Sequence, residues 1–200
     1  MKKTKKSILI IGNGQSILDY EIGNIIDTFN NIARINNFMI NNYEKKTGKK
    51  TDIWINGANQ KLLGRKQIFS QTIVSIPSSI IIKKSDSLIE HVSKRLKMKA
   101  TEFSIIPIYD IERYESSVDH KRLTTGITSI LWGLDNFDEV FIHGFDFFID
   151  SKSHYYDSKF YNFINKYILN KGHKHDNHKE QKFVQNLINN GIVKRLIDNI

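Results

Sequence analysis

The chain has no cysteine, 2 prolines among its 200 residues, and no apolar run near the roughly 18 residues of a membrane-spanning helix. The absence of cysteine excludes disulfides, thiolate zinc sites and a cysteine nucleophile, so catalysis must use histidine, carboxylate, hydroxyl or amide groups. The Lys-rich segment Met1 to Ser7 leads into a short apolar run that ends at a Gly-Asn-Gly turn and lacks a small-residue cleavage site. We therefore expect no signal peptide and a cytoplasmic protein.

The charge is strongly positive, and the apolar content is enough for one core. Thirty Lys and Arg against 21 Asp and Glu give a net charge of +9, and 40% of the residues are hydrophobic. This predicts one domain over residues 1–200. An AT-rich genome would produce part of the lysine content without functional pressure, so the net charge alone identifies no partner. The lysines form scattered clusters without interleaved aromatic residues, so nucleic acid is not expected. A basic nucleic-acid-binding module stays an alternative, and anionic lipid is another partner for the charge.

Short β-rich runs alternate with helical segments, which predicts an α/β fold: a single Rossmann-like domain with a mainly parallel sheet. The expected strands are Ser7–Ile11, Asn31–Ile35, Asp52–Ile55, Thr72–Ile76, Glu102–Ile106, Glu139–His143 and Ile192–Leu196. The expected helices are Ser85–Leu96, Thr125–Leu134 and Asp176–Asn190. Residues 150–177 are rich in His, Tyr, Lys and Asn, and we expect them to form a lid or flexible segment.

The first predicted strand ends in a turn that is a candidate for binding an anion. Gly12, Asn13 and Gly14 come directly after the apolar run, and Ser16 is placed to cap a short helix. A strand-to-helix turn of this kind presents backbone N–H groups to a phosphate. The turn lacks the third glycine of a dinucleotide fingerprint, and a purely structural turn is the alternative.

Three asparagines follow successive predicted strands: Asn13, Asn36 and Asn56. In an open α/β sheet these positions share the carboxyl edge, where ligands bind. Asparagine both donates and accepts hydrogen bonds, so the set suits a nucleobase or a ribose. The alternative is that asparagine is simply abundant in this chain and favours turns.

Two further segments reach the same predicted edge. Arg122, Thr124, Thr125 and Gly126 precede or begin a helix, which places hydroxyls and backbone donors at its N-terminus, whether as an anion site or a simple cap. Asp146 follows the strand Glu139–His143, where its carboxylate could hold a substrate hydroxyl or a loop.

The histidine cluster near the C-terminus consists of His173, His175 and His178, followed by Glu180. One of these imidazoles could act as a general base near neutral pH. Three close histidines could also bind zinc or nickel, and a solvated Lys-rich loop is the third interpretation.

Seven short motifs, in this order, together resemble bacterial sialyltransferases that use sialic acid activated by cytidine monophosphate (CMP), and are similar more loosely to animal sialyltransferases. They are Gly12-Asn13-Gly14-Gln15-Ser16, Arg34-Ile35-Asn36, Trp54-Ile55-Asn56-Gly57, Arg122-Leu123-Thr124-Thr125-Gly126, Gly144-Phe145-Asp146-Phe147-Phe148, His154-Tyr155-Tyr156 and the His-x4-Glu pair His175 and Glu180. The resemblance spans nearly the whole chain, and it implies a variant GT-A-type glycosyltransferase fold.

The resemblance implies an inverting, metal-independent transfer of sialic acid or a related acidic sugar from a CMP-sugar to a hydroxyl of a surface glycan. It implies no cofactor, a role in bacterial lipopolysaccharide or capsule biosynthesis, and a glycan acceptor that could be lipid-linked at the inner membrane face. His175 would be the general base, Tyr155 or Tyr156 would hydrogen-bond the leaving phosphate, and Glu180 would complete the catalytic set. The residues implied to bind the nucleotide or substrate are Gly12, Asn13, Gly14, Ser16, Asn36, Asn56, Arg122, Thr124, Thr125, Gly126 and Asp146.

Phe148 stands where better-known bacterial members have a tyrosine that assists the leaving group, and the predicted lid is short. A homologue that binds CMP but has weakened catalysis is therefore a further alternative.

Overall fold

Seven strands form one sheet in the order β5-β4-β3-β2-β1-β6-β7. They are β1 (Ser7–Ile11), β2 (Ile32–Ile35), β3 (Ile53–Asn56), β4 (Gln71–Val74), β5 (Ser104–Ile105), β6 (Glu139–His143) and β7 (Val193–Arg195). Every described pairing is parallel. This computed structural model describes residues 5–146, 155 and 177–200, and it confirms the predicted α/β fold with a parallel sheet.

The helices of the described residues connect and cover these strands. They are α1 (Gly23–Ile26), α2 (Glu44–Thr47), α3 (Ser78–Lys84), α4 (Leu88–Leu96), α5 (Ile108–Val118), α6 (Thr125–Asn136) and α7 (Asn177–Asn189). The sequence predicted α4, α6 and α7, although Ser85–Ser87, expected to begin the first of them, forms a separate 3-10 turn. It did not predict the other four.

The central strands β1 to β3 are buried and mainly apolar, as expected where helices cover both faces of a sheet, and Arg34 of β2 and Asn56 of β3 are their buried polar residues. Ile8 and Ile10 of β1 point to one face, where they pack with Ile127 of α6. Leu9 and Ile11 point to the other face and pack in a second cluster. This alternation fixes the register of β1 and therefore the position of the turn that follows it.

The sheet order creates a switch point between β1 and β6. Strands β1 to β5 lie side by side in chain order towards one edge of the sheet, and β6 pairs with the other side of β1. Beyond the strands, the Gly12 N–H donates to the His143 carbonyl at 2.8 Å, and the Gly14 N–H donates to the Gly144 carbonyl at 2.9 Å. Ligands of open α/β sheets bind in the crevice at such a point, outside the carboxyl ends of the strands.

The predicted lid, residues 150–177, lies outside the described residues except for Tyr155 and the backbone of Asn177. Within the described part of the chain, no helix combines the length and the apolar character needed to cross a bilayer.

Candidate functional site

Close backbone contacts join the ends of several strands and the start of α6 into one continuous surface. A Cβ at Gly57 would lie 3.1 Å from Thr125 Oγ1, and one at Gly126 would lie 3.2 Å from the Phe145 ring. A Cβ at Gly12 would lie 2.2 Å from the Gly144 carbonyl oxygen and 3.1 Å from the same Phe145 ring. Glycine is required at position 12 because another backbone segment approaches it there, whereas a Cβ at Gly57 or Gly126 would displace a neighbouring side chain by a few tenths of an ångström.

Asn13 is buried at the centre of this surface, and its amide orientation is fixed. Its Nδ2 donates to the carbonyls of Ile35 at 2.9 Å and Asn37 at 2.8 Å. Its buried Oδ1 has no partner among the described residues. Asn13 therefore ties β1 to the loop after β2 and leaves an acceptor atom for a ligand that donates a hydrogen bond.

In Asn56 and Asn36 the amide oxygen is bonded within the protein, whereas in Asn13 the amide nitrogen is. Asn56 Oδ1 accepts from the Ala58 N–H at 3.1 Å, while its buried Nδ2 has no partner within the described ranges. Asn36 Oδ1 accepts from the Gly57 N–H at 3.0 Å. These two side chains use their oxygens internally, so the atoms left for a ligand are amide donors, which suit an anion.

The N-terminus of α6 adds backbone donors beside these amides. Thr124 is the N-cap, and its hydroxyl oxygen accepts from the Ile127 N–H at 3.4 Å. The N–H groups of Thr125 and Gly126 belong to the first helical turn, where no intrahelical acceptor exists. The positive end of the helix dipole reinforces them, so this terminus can hold a phosphate or carboxylate.

Two buried carboxylates hold the segment before α6. Glu180 of α7 accepts from the Thr124 N–H at 2.7 Å and from the Thr124 hydroxyl at 2.6 Å. Glu115 accepts from the Arg122 N–H at 3.3 Å and from the Ser78 hydroxyl at 2.5 Å. The resemblance placed Glu180 among catalytic residues, whereas its contact with Thr124 is a positioning contact. A direct catalytic part for Glu180 stays a prediction.

Asp146 organises the turn after β1. Its carboxylate accepts from the Ser16 N–H at 3.1 Å and from the Ser16 hydroxyl. The expectation that Ser16 caps a helix is wrong, because Gly14 occupies the N-cap position of the 3-10 turn Gln15–Leu18 and Ser16 lies inside that turn. The Ser16 hydroxyl donates to the carboxylate of Asp146, which follows β6, so these two predicted site residues are in direct contact.

A cavity of about 780 Å³ opens beside this turn, at the switch point between β1 and β6. Its volume is within the range of small-molecule sites. Ser16, Asp19, His143 and Asp146 line one side, and Gln181 and Gln185 of α7 line the other. The lining combines amides, hydroxyls, an imidazole, two carboxylates, a guanidinium and apolar surface, a mixture that suits a polar organic ligand such as a nucleoside.

His143, the last residue of β6, lies in the wall of this cavity and was not predicted as a site residue. It is 6% exposed, and its Nε2 has no partner among the described residues. Burial lowers the pKa of His143 to about 4, against the opposing influence of Asp146 and Asp19. The imidazole is therefore neutral at pH 7.

Tyr155 lies next to Asn13, and its hydroxyl forms hydrogen bonds with the backbone of Met39. Its backbone N–H donates to the Asn13 carbonyl at 3.1 Å. The Tyr155 hydroxyl accepts from the Met39 N–H at 2.8 Å and donates to the Met39 carbonyl. Burial raises the pKa of Tyr155. Contact of this hydroxyl with a leaving phosphate stays a prediction.

Tyr156, His173 and His175 lie outside the described residues, so their predicted roles are not addressed by the geometry. In residues 5–146, 155 and 177–200, no three histidine, aspartate or glutamate side chains form a group that could hold a metal ion.

Besides His143, sequence reasoning missed three residues that shape the site: Gly57, Phe145 and Glu115. Gly57 and Phe145 both lie within motifs that carry the family resemblance, so their positions in the sequence could have indicated a part in the site. Glu115 had no such signal, because its contact with Arg122 depends on how α5 packs against the following loop.

Comparison with known proteins adds independent information. The chain is 22% identical to a lactosylceramide alpha-2,3-sialyltransferase of Rattus norvegicus, over 96% of this chain and 56% of that protein. It is 21% identical to a rat CMP-N-acetylneuraminate-beta-1,4-galactoside alpha-2,3-sialyltransferase, over 96% of this chain and 58% of that protein. The chain thus spans a little more than half the length of these curated relatives.

Two solved structures share the fold. A mammalian sialyltransferase superposes with a TM-score of 0.73 and 20% identity, covering 96% of this chain and 69% of that one. A monofunctional alpha-2,3-sialyltransferase of Campylobacter jejuni gives a TM-score of 0.62 and 13% identity, covering 98% of this chain and 77% of that one. The family model for glycosyltransferase family 29 (sialyltransferase) matches residues 1–192. The chain therefore belongs to glycosyltransferase family 29, the sialyltransferases.

Proposed function

We propose that this chain transfers sialic acid, or a related acidic sugar, from a CMP-sugar to a hydroxyl of a glycan by direct, inverting and metal-independent displacement. The observation that carries the proposal is the arrangement at the carboxyl edge of the sheet. The N-terminus of α6 and amide groups of fixed polarity lie along this edge, and Phe145, whose ring approaches Gly126, also lines the cavity of about 780 Å³. Family membership supports the reaction class, and the hydrogen-bonding groups of the site suit the phosphate and the nucleoside of the donor.

The phosphate of the donor fits the N-terminus of α6. The N–H groups of Thr125 and Gly126 and the Asn56 amide all present donors on this side of the surface. Asn13 Oδ1 presents an acceptor, which suits a ribose hydroxyl or the amino group of cytosine. The adjoining cavity has room for the nucleoside. A departing monophosphate carries less charge than a diphosphate, so these donors can stabilise it without a divalent cation.

In the proposed reaction, a hydroxyl oxygen of the acceptor attacks the anomeric carbon of the sugar. The bond from that carbon to the phosphate oxygen breaks, and CMP leaves on the opposite face. The proton of the acceptor hydroxyl passes to the general base, which the resemblance assigns to His175. Tyr155 or Tyr156 would donate a hydrogen bond to the leaving phosphate. Galactose-terminated acceptors are the first to test, because both rat relatives are named for galactose-containing substrates.

Calorimetric titration with CMP tests the donor site, with uridine diphosphate and NAD as controls and a chelator present. We expect selective binding of CMP. The variant Asn56→Asp places a carboxylate where an amide donor faces the phosphate, and we expect about tenfold weaker binding or more. The exposed Asn59→Asp is the matched control. Absence of CMP binding by the folded protein would overturn the proposal.

A transfer assay with CMP-sialic acid and a β-galactoside tests the reaction. Removal of a general base typically lowers the rate by about 10²- to 10⁴-fold, so His175→Ala should show a loss of that size while CMP affinity is kept. His178→Ala, on an exposed position of the same cluster, is the control. Full activity of His175→Ala would contradict the assigned base, and CMP binding without transfer by the unmodified chain would favour the catalytically weakened homologue.

We also propose a cytoplasmic location for the chain, with no cofactor and with a lipid-linked acceptor at the inner membrane face. The charge of +9 supports attraction to an anionic membrane surface. Cell fractionation with a tagged chain tests the location, and recovery outside the cytoplasmic and inner-membrane fractions would contradict it.

A further inference from the structure

Two segments of the chain carry seven basic residues and no acidic residue. One is the connection between β3 and β4, residues 57–70, and the other is the end of α4 with the turn after it, residues 94–99. The basic residues are Lys61, Arg65, Lys66, Lys94, Arg95, Lys97 and Lys99. The five lysines are exposed, and none forms an ion pair with the described part of the chain.

The two segments lie side by side. A Cβ on Gly64 would be 3.9 Å from both the Leu96 carbonyl oxygen and Lys97 Cδ. Leu62 of the first segment and Met98 of the second pack against the same buried cluster. Together they form one surface, here called the β3–β4 surface, which comprises residues 57–70 and 94–99.

Two aliphatic side chains project from this surface into solvent. Ile68 is 93% exposed and Leu63 is 66% exposed, the two largest values among the exposed aliphatic side chains of the described residues. Each stands within five positions of Lys61 or Lys66. Single exposed aliphatic side chains are common on protein surfaces, whereas two of them among five exposed lysines are the combination that suits contact with an anionic and apolar phase.

Contacts with the rest of the protein hold the segment that carries the exposed residues. Arg65 donates to the Phe38 carbonyl at 2.6 Å, and its guanidinium lies 3.8 Å from the centre of the Phe38 ring. The Phe69 ring lies 5.5 Å from the Trp54 ring. The Leu63 N–H donates to Asn37 Oδ1 at 2.9 Å. The surface therefore presents its lysines and aliphatic side chains in a defined arrangement.

We propose that the β3–β4 surface docks on a bilayer that contains anionic phospholipids. The lysines suit the headgroup phosphates at the surface of such a membrane. The projecting aliphatic side chains suit the hydrocarbon beneath the headgroups. A nucleic acid would use the lysines but has no place for exposed Ile68 and Leu63, and the aromatic rings of Phe38 and Phe69 are packed against the protein. The membrane accounts for both kinds of side chain.

Docking in this way would hold the candidate site beside the membrane. Asn37, which bonds Leu63, directly follows Asn36 of the site. A lipid-linked acceptor could then reach the site without leaving the bilayer. This last consequence rests on the proposed function, whereas membrane binding itself does not.

Vesicle co-sedimentation of the full chain tests the proposal. The probes are vesicles of phosphatidylcholine alone and vesicles in which about a third of the lipid is phosphatidylglycerol. We expect the anionic vesicles to bind the chain at least about tenfold more tightly. Two double variants separate the contributions: Lys61→Glu with Lys66→Glu, and Leu63→Ser with Ile68→Ser. Each should weaken binding to anionic vesicles about tenfold.

Lys45→Glu with Lys49→Glu is the matched control, since it changes the net charge equally at two exposed lysines outside the β3–β4 surface. It should bind within about twofold of the unmodified chain, because short-range contacts outweigh net charge. Equal loss in the control, or equal binding to both vesicle types, would overturn the proposal. Unchanged vesicle binding by the serine variant, with salt-sensitive binding of duplex DNA through Lys61 and Lys66, would assign the surface to nucleic acid.

CMP titration of every variant separates this proposal from the proposed function. The altered side chains do not belong to the CMP site, so CMP affinity should be unchanged in all of them. Loss of vesicle binding with intact CMP binding concerns the surface alone. Vesicle binding by a chain that does not bind CMP would leave the surface standing and remove the enzyme assignment.

Discussion

The carboxylate of Glu180 accepts hydrogen bonds from both the backbone N–H and the hydroxyl of Thr124, which lies 56 residues earlier in the chain. Glu180 is 1% exposed. Because Thr124 is the N-cap of α6, this contact ties helix α7 to the helix terminus proposed to hold the donor phosphate. Through these hydrogen bonds, the glutamate of the His-x4-Glu motif holds the N-terminus of α6, which is the proposed phosphate site.

Glu180→Leu should destabilise the protein, because the buried Thr124 N–H and hydroxyl lose the carboxylate that accepts from both of them. At least one buried donor is left without an acceptor, which costs about 1–3 kcal/mol of the free energy of unfolding. Urea unfolding measures this loss. Glu112→Leu, on an exposed position of α5, should change the stability by less than about 0.5 kcal/mol. Equal stability of the two variants would contradict the contact.

Gly14→Ala should weaken CMP binding about tenfold while the fold is kept. The added Cβ would lie 2.4 to 2.6 Å from the carboxylate atoms of Asp146, so Asp146 must move and lose its bonds to Ser16. The backbone itself accepts alanine, since Gly14 has a φ of −69°. Calorimetry measures the affinity, and Gly64→Ala, with no atom closer than 3.9 Å, is the control. CMP binding equal to that of the control would remove Asp146 from the site.

Stability should fall between pH 6.5 and pH 4, in part because of His143. The pKa of His143 is about 4 in the folded chain against 6.5 in the unfolded chain, so the unfolded state binds more protons in this range. The contribution of the neutral imidazole is complete above pH 6.5 and is lost as the pH falls through this window, by about 3 kcal/mol.

Urea unfolding of His143→Gln at several pH values isolates that effect. The variant should lose about 3 kcal/mol less stability than the unmodified chain between pH 7 and pH 4. His178→Gln, at an exposed position, should follow the unmodified chain. Parallel pH profiles for His143→Gln and the unmodified chain would show that His143 is not buried in its neutral form.

Arg34→Lys should destabilise the protein by about 3 kcal/mol. The buried guanidinium donates to the Thr47 carbonyl at 2.5 Å, the Lys50 carbonyl at 3.1 Å and the Thr51 hydroxyl at 2.9 Å. An ammonium group cannot reproduce this planar set of bonds. Thermal or urea unfolding measures the loss, and Arg195→Lys in an exposed ion pair should cost about 0.5 kcal/mol or less. A small effect at Arg34 would mean that its bonds contribute little net stability.

The strands were predictable because burial on both faces leaves a plain apolar signal. Ser7–Ile11 and Glu139–His143 have the predicted ends. Helix Ile108–Val118 was missed although it places Ile111, Tyr114 and Val118 on one buried face. The four-residue helices Gly23–Ile26 and Glu44–Thr47 are too short to show a helical period, so no pattern in the sequence could reveal them.

The placement of the three candidate asparagines in the fold was predictable, and their hydrogen bonds were not. Asn13, Asn36 and Asn56 lie at the carboxyl edge of the sheet, as the strand ends indicated. The direction of each amide depends on loop carbonyls and N–H groups that only the folded chain brings close, such as the Asn37 carbonyl beside Asn13. The link between Glu180 and Thr124 likewise joins distant positions, and residue spacing carries no information about it.

The pairing of β6 with β1 also determines when the site can exist during synthesis. Ser16 and Asp146, which together shape the turn, are 130 residues apart in the chain. At about 5–20 residues per second, the ribosome needs roughly 7–26 s to make the second half of the site after the first. Until β6 emerges, β1 has an open edge and the Gly-Asn-Gly turn has no opposing wall. A nascent chain therefore presents the complete turn only after β6 and Asp146 have emerged.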